Sequence, residues 1–186
     1  MIRLETYQRG LLDLVKNRGT AKTEPYLVEV ANSRGIVLVR EIAIWWRAFQ
    51  IGSQCPLVSL VLKRQACFDA TISNFFESNR TSPFVEELTE HFLTFLGERN
   101  DPFLCSVAAF ERALLQVRAG SDETSEVEFD RNPDLAFEAL ERGDTIPPAE
   151  SEYCYRITVA RHLPRMFRCT REVIEYPPKG HKKPRE

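Results

Sequence analysis

Most of the motifs that mark an active site are missing from this sequence. Its 186 residues include only three histidines, and His91, His162 and His181 are too scattered to suggest a shared metal site. The sequence contains no glycine-rich phosphate loop, no GxSxG motif and no HExxH motif. It therefore predicts no catalytic residues, no metal ion and no cofactor held by this chain.

An excess of positive charge is also absent, since the formal net charge is −2 at pH 7, and this balance does not favour nucleic acid as a partner. No apolar run reaches the roughly 20 residues that a membrane-spanning helix needs. The N-terminal stretch MIRLETYQRGLLDLVK lacks the apolar core and the small-residue cleavage site of a signal peptide. We therefore expect a cytoplasmic protein that does not associate with a membrane.

The five cysteines include no CxxC pair and no zinc-finger spacing to a histidine. Free cysteine is often buried, so reduced thiols in the core are the simplest interpretation. A small enzyme that uses Cys55 or Cys154 as a nucleophile is an alternative, although no base accompanies either residue in the sequence. The cysteines are Cys55, Cys67, Cys105, Cys154 and Cys169.

Apolar residues spaced three and four apart are abundant, and they predict a largely helical body. Three of the helices are expected to begin where a capping residue precedes a proline, at Ser82-Pro83, Asp101-Pro102 and Asn132-Pro133. The predicted helices cover residues 2–16, 41–51, 56–76, 83–96, 102–118 and 133–142.

Strand patterns occur near both ends of the chain. Residues 26–30 and 36–40 are apolar and rich in β-branched side chains, and a turn-forming cluster at 31–35 separates them. This pattern predicts a β-hairpin. In the later stretch EYCYRITVA, apolar and polar side chains alternate, which predicts a half-buried strand. Two further strands are predicted at 127–129 and 166–172.

The predicted fold class is α+β, with a mainly helical body, an N-terminal β-hairpin and a small C-terminal antiparallel sheet. The polar stretch AGSDETSE is the best candidate for a boundary between domains. We predict a helical domain with the hairpin over 1–120, a small α+β domain over 121–176 and a disordered basic tail over 177–186.

The only two tryptophans, Trp45 and Trp46, are adjacent in the stretch AIWWRAFQIGSQCP. Successive side chains on a helix are turned by ~100°, so two neighbours cannot face in one direction. Trp45 shares a stripe with Phe49, and Trp46 is left over. Trp46 therefore either belongs to a second buried stripe or contacts another molecule.

The predicted hairpin offers a surface for a peptide. A short sheet with a free edge can accept an extended peptide as an additional strand, and the main-chain hydrogen bonds then supply affinity. Both faces of the strand predicted at 36–40 are largely apolar. Either the helices of this chain cover both faces, or one face is left for a partner.

Five arginines lie within sixteen positions of the predicted C-terminal sheet. Nucleic-acid binding is one interpretation of them, but no RNA- or DNA-binding motif accompanies the cluster. Pairing with acidic groups of this chain or of a partner protein is the other interpretation. The arginines are Arg156, Arg161, Arg165, Arg168 and Arg171.

Several stretches together suggest a family. The N-terminal helix is followed by NSRGIVLVRE and by an aromatic-rich helix that ends in CP, IAIWWRAFQIGSQCP. This order resembles the small partner subunits of multinuclear non-haem iron-dependent oxidases, which modify ribosomally made peptides in the methanobactin and 3-thiaglutamate pathways. The later stretch FLTFLGERNDPFLCSVAAFERALLQVRAG is similar to a helix pair of those subunits. Their small C-terminal sheet is similar to EVEFDRNPDLAFEALERGDTIPP followed by YRITVARHLPRMFRCTRE.

The resemblance implies a role in a complex. Such subunits hold no iron, bind the oxidase subunit and help to dock the precursor peptide, in part by strand addition. The oxidase then acts on a cysteine of the peptide. In the 3-thiaglutamate pathway it excises the β-carbon of a C-terminal cysteine, and in methanobactin it builds an oxazolone and a thioamide.

We therefore predict a non-catalytic, peptide-binding subunit that works as a heterodimer with an iron-containing oxidase. A nucleic-acid-binding helical module is the alternative. Tryptophan and arginine are favoured at the centres of protein interfaces, which directs the choice of contact residues. For the peptide we predict contacts with Ile36, Val37, Leu38, Val39, Arg40, Tyr155, Ile157 and Val159, and for the oxidase contacts with Trp46, Phe49, Arg156, Arg161, Arg165 and Arg168.

Overall fold

The computed structural model describes residues 4–16, 25–79 and 82–174. In these ranges a largely helical chain carries one small antiparallel sheet, which confirms the predicted α+β fold class. The tail predicted at 177–186 lies outside the described residues. The helices are α1 Leu4–Val15, α2 Pro25–Ala31, α3 Arg34–Gln54, α4 Pro56–Arg64, α5 Phe68–Ser78, α6 Val85–Gly97, α7 Pro102–Arg118 and α8 Pro133–Arg142, and the strands are β1 Ser125–Phe129, β2 Tyr153–Val159 and β3 Phe167–Val173.

The predicted N-terminal β-hairpin is wrong, because both of its strands are helical. Residues 26–30 belong to α2, and residues 36–40 belong to the first half of α3. Ser33 is the N-cap of α3, and its side chain accepts a hydrogen bond from the N–H of Ile36 at 3.4 Å. Ile36 is buried against α1 and α2. This burial outweighs the helix propensity that β-branched residues lose, which is only about 0.5 kcal/mol each.

The single helix predicted at 56–76 is two helices, α4 and α5. Ala66 adopts a left-handed backbone conformation, with φ of 52°, just beyond the end of α4. The N–H of Cys67 donates to the carbonyl of Leu62, and the N–H of Ala66 donates to the carbonyl of Lys63. These two hydrogen bonds form a Schellman motif. Because glycine usually occupies the left-handed position, an alanine there carries no sequence signal of a helix end.

Helices α7 and α8 begin and end where the sequence predicts. Asp101 Oδ1 and Asn132 Oδ1 each accept a 3.0 Å hydrogen bond from a backbone N–H in the first turn. Gly143 ends α8 with φ of 85°, which glycine adopts without strain. The helix start predicted at Pro83, after the cap Ser82, lies two residues too early, because α6 begins at Val85.

The C-terminal sheet is antiparallel, with β2 between β1 and β3. Ile157 of β2 pairs with Val127 on one side and with Cys169 on the other. The three strands predicted in this region are therefore confirmed. Strand β2 also shows the predicted alternation, since Tyr155, Ile157 and Val159 are buried on the face that packs on α7.

One hydrophobic core joins helices α4 to α8 to the sheet. At its helical end the rings of Phe75 and Phe92 are 5.2 Å apart between centroids. Near the sheet, the rings of Phe110 and Phe129 are 6.5 Å apart. The core therefore extends across residue 120, and the division into domains at 1–120 and 121–176 stays a prediction.

Helices α1 and α2 form a second, smaller cluster with the first half of α3. Leu14, Leu27 and Ile36 are its buried centre. Helix α1 approaches α2 so closely at Gly10 that an added Cβ would collide with the side chain of Leu27. The N-terminal helices thus cover one side of α3 and leave its opposite side uncovered.

Candidate interaction surface

Exposed apolar side chains are concentrated in the N-terminal helices. Sixteen large apolar side chains are exposed in the described residues, and twelve of these lie in α1, α2 and α3. Eight of the twelve belong to α3 alone. Contiguous apolar surface of this extent is uncommon on proteins that bind no partner. The exposed face of α3 is therefore the candidate functional site.

Four of these side chains form a row along α3, which we name the α3 stripe: Leu38, Ile42, Trp45 and Phe49. Their spacing of four, three and four residues places them on one face of the helix. Trp45 is 65% exposed and Phe49 is 56% exposed. The sequence pattern predicts that Trp45 and Phe49 share a stripe, and the structure adds Leu38 and Ile42 to the same surface.

Trp46 lies beside the α3 stripe and joins it through aromatic contacts. The ring centroids of Trp46 and Phe49 are 5.7 Å apart, and those of Trp45 and Phe49 are 6.0 Å apart. The two indoles are 6.5 Å apart, and both are more than half exposed. Phe49 thus lies between the directions of the two tryptophans, and the three rings form one surface cluster. A buried second stripe for Trp46 is excluded.

The reverse side of α3 is occupied by the rest of the chain. Ile36 is buried in the N-terminal cluster, and Arg40 Nε donates a 2.7 Å hydrogen bond to the carbonyl of Leu14. The guanidinium of Arg47 lies 5.6 Å from the centre of a phenylalanine ring of α5. Ile51 is fully buried in the main core. These contacts orient the α3 stripe away from the other described elements.

The prediction that residues 36–40 receive a peptide as an added strand is wrong, because these residues are helical. Ile36 and Arg40 are engaged on the reverse side of α3, while Val37, Leu38 and Val39 are exposed. The backbone groups in a helix hydrogen-bond one another. A peptide therefore cannot add a strand here, and the exposed members contribute apolar surface instead.

The peptide contacts predicted on β2 also require a correction. Tyr155, Ile157 and Val159 are buried beneath the sheet, and β2 is hydrogen-bonded to a neighbouring strand on both sides. Neither their side chains nor their backbone can meet an added strand. The sequence predicted the alternation correctly, but it could not show that β2 is the central strand.

The two outer edges of the sheet differ in their surroundings. On β1, the carbonyl of Glu128 accepts a 2.6 Å hydrogen bond from Ser106 Oγ of α7. On the outer side of β3, no other described strand pairs with it. In an antiparallel pair, the N–H groups of successive residues point alternately toward and away from the neighbouring strand. The N–H of Ile174 points inward, since it donates to the carbonyl of Glu152 at 2.9 Å. The N–H of Arg171, three residues earlier, therefore points outward along the open edge of β3.

The arginines predicted to contact the oxidase are distributed between internal pairs and the surface. Arg156 forms ion pairs of 3.2–3.7 Å with three glutamates of the neighbouring strands. Arg161 lies 3.5 Å from Asp122. Arg165 and Arg168 are exposed. Pairing with acidic groups of this chain is thus confirmed for Arg156 and Arg161, and their balanced charges do not favour phosphate binding.

One buried carboxylate carries only a weak sequence signal. Glu111 of α7 is 4% exposed, and its two oxygens accept hydrogen bonds of 2.8 and 3.0 Å from the N–H groups of Leu57 and Val58. Since these N–H groups belong to the first turn of α4, Glu111 caps that helix from a neighbouring one. Burial raises the pKa of Glu111 to about 7, against the lowering effect of the two N–H groups. The only signal is a charged residue on the apolar face of α7.

The two cysteines considered as nucleophiles lie in environments that keep a thiol protonated. Burial, together with the charge of Glu111, raises the pKa of Cys55, which is fully enclosed. Burial and the charge of Glu128 raise the pKa of Cys154. A nucleophilic cysteine needs its thiolate form. The surroundings of Cys55 and Cys154 therefore do not favour the alternative of a cysteine-dependent enzyme.

The described residues contain neither a cluster of metal ligands nor a helix that could span a membrane. Across 4–16, 25–79 and 82–174, no three histidine, cysteine, aspartate or glutamate side chains are grouped so that they could hold a metal ion. None of the described helices is both long enough and apolar enough to cross a membrane.

Comparison with other proteins finds no relative for the chain: no family model, no curated protein and no solved structure matches it. The α3 stripe and the open edge of β3 are therefore the features on which a functional assignment rests.

Proposed function

We propose that this chain is a non-catalytic partner subunit that binds a non-haem iron oxidase and presents a ribosomally made precursor peptide to it. The observation that carries the proposal is the α3 stripe with Trp46, because large exposed aromatic side chains are the ones that dominate protein interfaces. The iron belongs to the oxidase, and the reaction falls on a cysteine of the peptide. Excision of a cysteine β-carbon, as in 3-thiaglutamate biosynthesis, is the reaction we favour.

The choice of an oxidase as the partner rests on the resemblance in sequence. Two parts of that resemblance have a structural counterpart, the aromatic-rich helix that ends before Cys55-Pro56 and the small C-terminal sheet. The hairpin attributed to NSRGIVLVRE has none. Of the residues proposed for the oxidase contact, Trp46 and Phe49 lie together on the exposed side of α3.

The peptide is proposed to bind along β3 as a fourth strand. This edge is open in the described residues, whereas Ser106 engages the opposite edge at β1. Strand addition requires outward-facing N–H and carbonyl groups, and Arg171 supplies such a pair. Exposed Arg168 on the same strand adds positive charge, which favours a peptide with acidic side chains.

Co-purification tests the oxidase contact. The full chain, co-expressed with a candidate non-haem iron oxidase, is expected to elute as a heterodimer. Trp46→Ala and Phe49→Ala should each weaken the complex by about tenfold or more, since truncation of an aromatic interface residue costs about 2 kcal/mol. Leu135→Ala is the matched control, because Leu135 is an equally exposed apolar residue on α8. Failure of the wild-type chain to bind any such oxidase contradicts the proposal.

The same complex tests the peptide edge. Arg171→Pro removes an outward N–H but leaves the hydrogen bonds between β2 and β3 in place, and proline is tolerated on edge strands. We expect Arg171→Pro to weaken binding of the precursor peptide more than Arg171→Ala does. Equal binding by the two variants would place the peptide elsewhere.

A further inference from the structure

We propose that, when no other partner is present, α3 pairs with α3 of a second copy of this chain, antiparallel and about a two-fold axis between Ala43 and Ile44. The inference goes beyond the proposed function and does not depend on it, because it concerns the chain alone. Since the α3 stripe is the shared surface, the homodimer and the oxidase complex exclude each other.

The spacing of the α3 stripe is that of a helix-pairing surface. Its four residues follow one another at intervals of four, three and four, which is the repeat of helices that pack side by side along a common seam. At 1.5 Å per residue the stripe is roughly 17 Å long, or three helical turns. A two-fold interface requires a surface that is complementary to itself, and an antiparallel pair of α3 helices meets this requirement.

Antiparallel pairing sets large side chains against smaller ones. About the proposed axis, Leu38 lies opposite Phe49 of the second copy, and Ile42 lies opposite Trp45 of the second copy. A parallel pair would instead set Trp45 against Trp45 and Phe49 against Phe49, with gaps beside the leucines. Because protein interfaces pack as densely as interiors, the antiparallel arrangement is favoured.

The charges along α3 allow this arrangement. The ionisable residues that adjoin the α3 stripe on the helix surface are Arg34 and Glu41. Antiparallel pairing sets Glu41 beside Ala48 of the second copy, so like charges do not meet. Arg40 and Arg47 lie on the reverse side of α3, each with a contact inside its own chain.

The amount of exposed apolar surface fits a dimer interface. The four residues of the stripe, with Val39 and Trp46, are each about half exposed. Since a large aromatic side chain buries about 150–250 Å², these six offer roughly 600 Å² per copy. A stable interface covers about 800 Å² per partner, so the surface of α3 falls somewhat short of that size. This area corresponds to a reversible dimer.

The rest of the chain leaves room for a second α3. The N-terminal cluster occupies the side of α3 that carries Ile36, and the main core receives α3 at Ile51. Antiparallel pairing directs the two cores toward opposite ends of the helix pair.

Sedimentation velocity of the full chain, from low to high micromolar concentration, tests the proposal. We expect a monomer–dimer equilibrium. Tryptophan emission should shift to shorter wavelength as the dimer forms, because both tryptophans of the chain lie on this surface. Trp45→Glu should stay monomeric throughout, whereas Leu135→Glu, at a leucine of α8 that is also more than half exposed, should dimerise as the wild type does. Circular dichroism checks folding, and Leu38→Glu replaces any variant that fails it.

Two double variants test the orientation. Leu38→Glu combined with Phe49→Glu sets like charges opposite each other in the antiparallel pair. Leu38→Glu combined with Phe49→Lys sets opposite charges there, but like charges in a parallel pair. We expect the second double variant to dimerise at least about tenfold more tightly than the first.

Four outcomes overturn the proposal. They are a wild-type chain that stays monomeric at the highest concentration, a dimer that survives Trp45→Glu, double variants of equal affinity, and an emission shift with phospholipid vesicles in the absence of dimerisation. All are measured without an oxidase, so they leave the proposed function to its own co-purification test.

Discussion

The two regions that α3 connects differ in where their apolar side chains lie. In the main core, large rings such as Phe75, Phe92 and Phe129 are enclosed almost completely. Among the described residues of the N-terminal cluster only three aliphatic side chains are buried, while twelve large apolar side chains of α1, α2 and α3 are exposed. The main core thus supplies its own stability, whereas the N-terminal helices hold apolar surface that a partner can cover.

This difference has an energetic consequence. Buried apolar surface contributes about 25 cal/mol per Å² to the free energy of unfolding, and exposed surface contributes nothing until it is covered. We therefore expect the N-terminal helices to open locally at a lower free energy than the main core. Binding to the α3 stripe would then stabilise these helices more than any other part of the chain.

The largest difference between the regions should come from paired truncations of phenylalanine. Phe75→Ala removes a ring that lies 5.2–5.4 Å from three other phenylalanine rings, so it should lower the free energy of unfolding by about 3–5 kcal/mol. Phe49→Ala should change it by less than about 1 kcal/mol, because the ring is 56% exposed. Urea unfolding at low protein concentration measures both. Similar losses in the two variants would contradict the contrast between the regions.

A smaller effect, confined to the main core, concerns Glu111. The folded protein keeps this carboxyl protonated up to about pH 7, while the unfolded chain releases the proton near pH 4.5. Between these values the folded state binds more protons, so the free energy of unfolding should fall as pH rises, by at most about 3 kcal/mol. This contribution is fully present below pH 4.5 and lost above pH 7.

Glu111→Gln removes the titrating group and should abolish that slope. It should also cost about 1–3 kcal/mol at acid pH, because Leu57 and Val58 donate to different oxygens of Glu111 and the amide nitrogen that replaces one of these oxygens cannot accept a hydrogen bond. Urea unfolding across pH 4–8 compares the two proteins. If the free energy of unfolding still falls with rising pH in Glu111→Gln, a titrating group other than Glu111 causes the fall.

The smallest effect compares helix caps in the two regions. Asp101 Oδ1 accepts a 3.0 Å hydrogen bond at the start of α7, whereas the cap bond of Ser33 at the start of α3 is 3.4 Å long. Asp101→Ala should lower the free energy of global unfolding by about 1 kcal/mol. Ser33→Ala should speed amide hydrogen exchange in the first turns of α3 without changing global unfolding. Equal global losses would indicate that both regions unfold as one unit.

The parts of the fold that could be predicted from sequence are those with local causes. Helices α7 and α8 have a capping side chain and a proline at their start, and β2 has strict alternation. The strand predicted at 36–40 is wrong because the four successive apolar residues at 36–39 fit a strand as well as a helix. The helical spacing of Leu38, Ile42, Trp45 and Phe49 indicates a helix instead. This pattern is divided when residues 36–40 are assigned to a strand, because Leu38 then falls in the strand and the other three residues fall in the following helix.

The candidate site was predicted in part, for the same reason. The choice of Trp46 and Phe49 followed from residue type and from the geometry of adjacent tryptophans, and both are exposed. The contacts predicted for Tyr155, Ile157 and Val159 are wrong because these side chains are buried on the face that packs on α7, and because a peptide can add only to a strand with a free edge. No pattern within β2 reveals that it lies at the centre of the sheet.

The sequence by itself determined which segments are helices and strands wherever a cap, a proline or a strict alternation acts within a few residues. It also determined that two adjacent tryptophans must point in different directions. Only the tertiary structure decided that both directions are open to solvent, because α1, α2 and the main core all pack on the reverse side of α3. Burial of Glu111 against α4 was decided in the same way, since its hydrogen-bond partners lie more than fifty residues away in the chain.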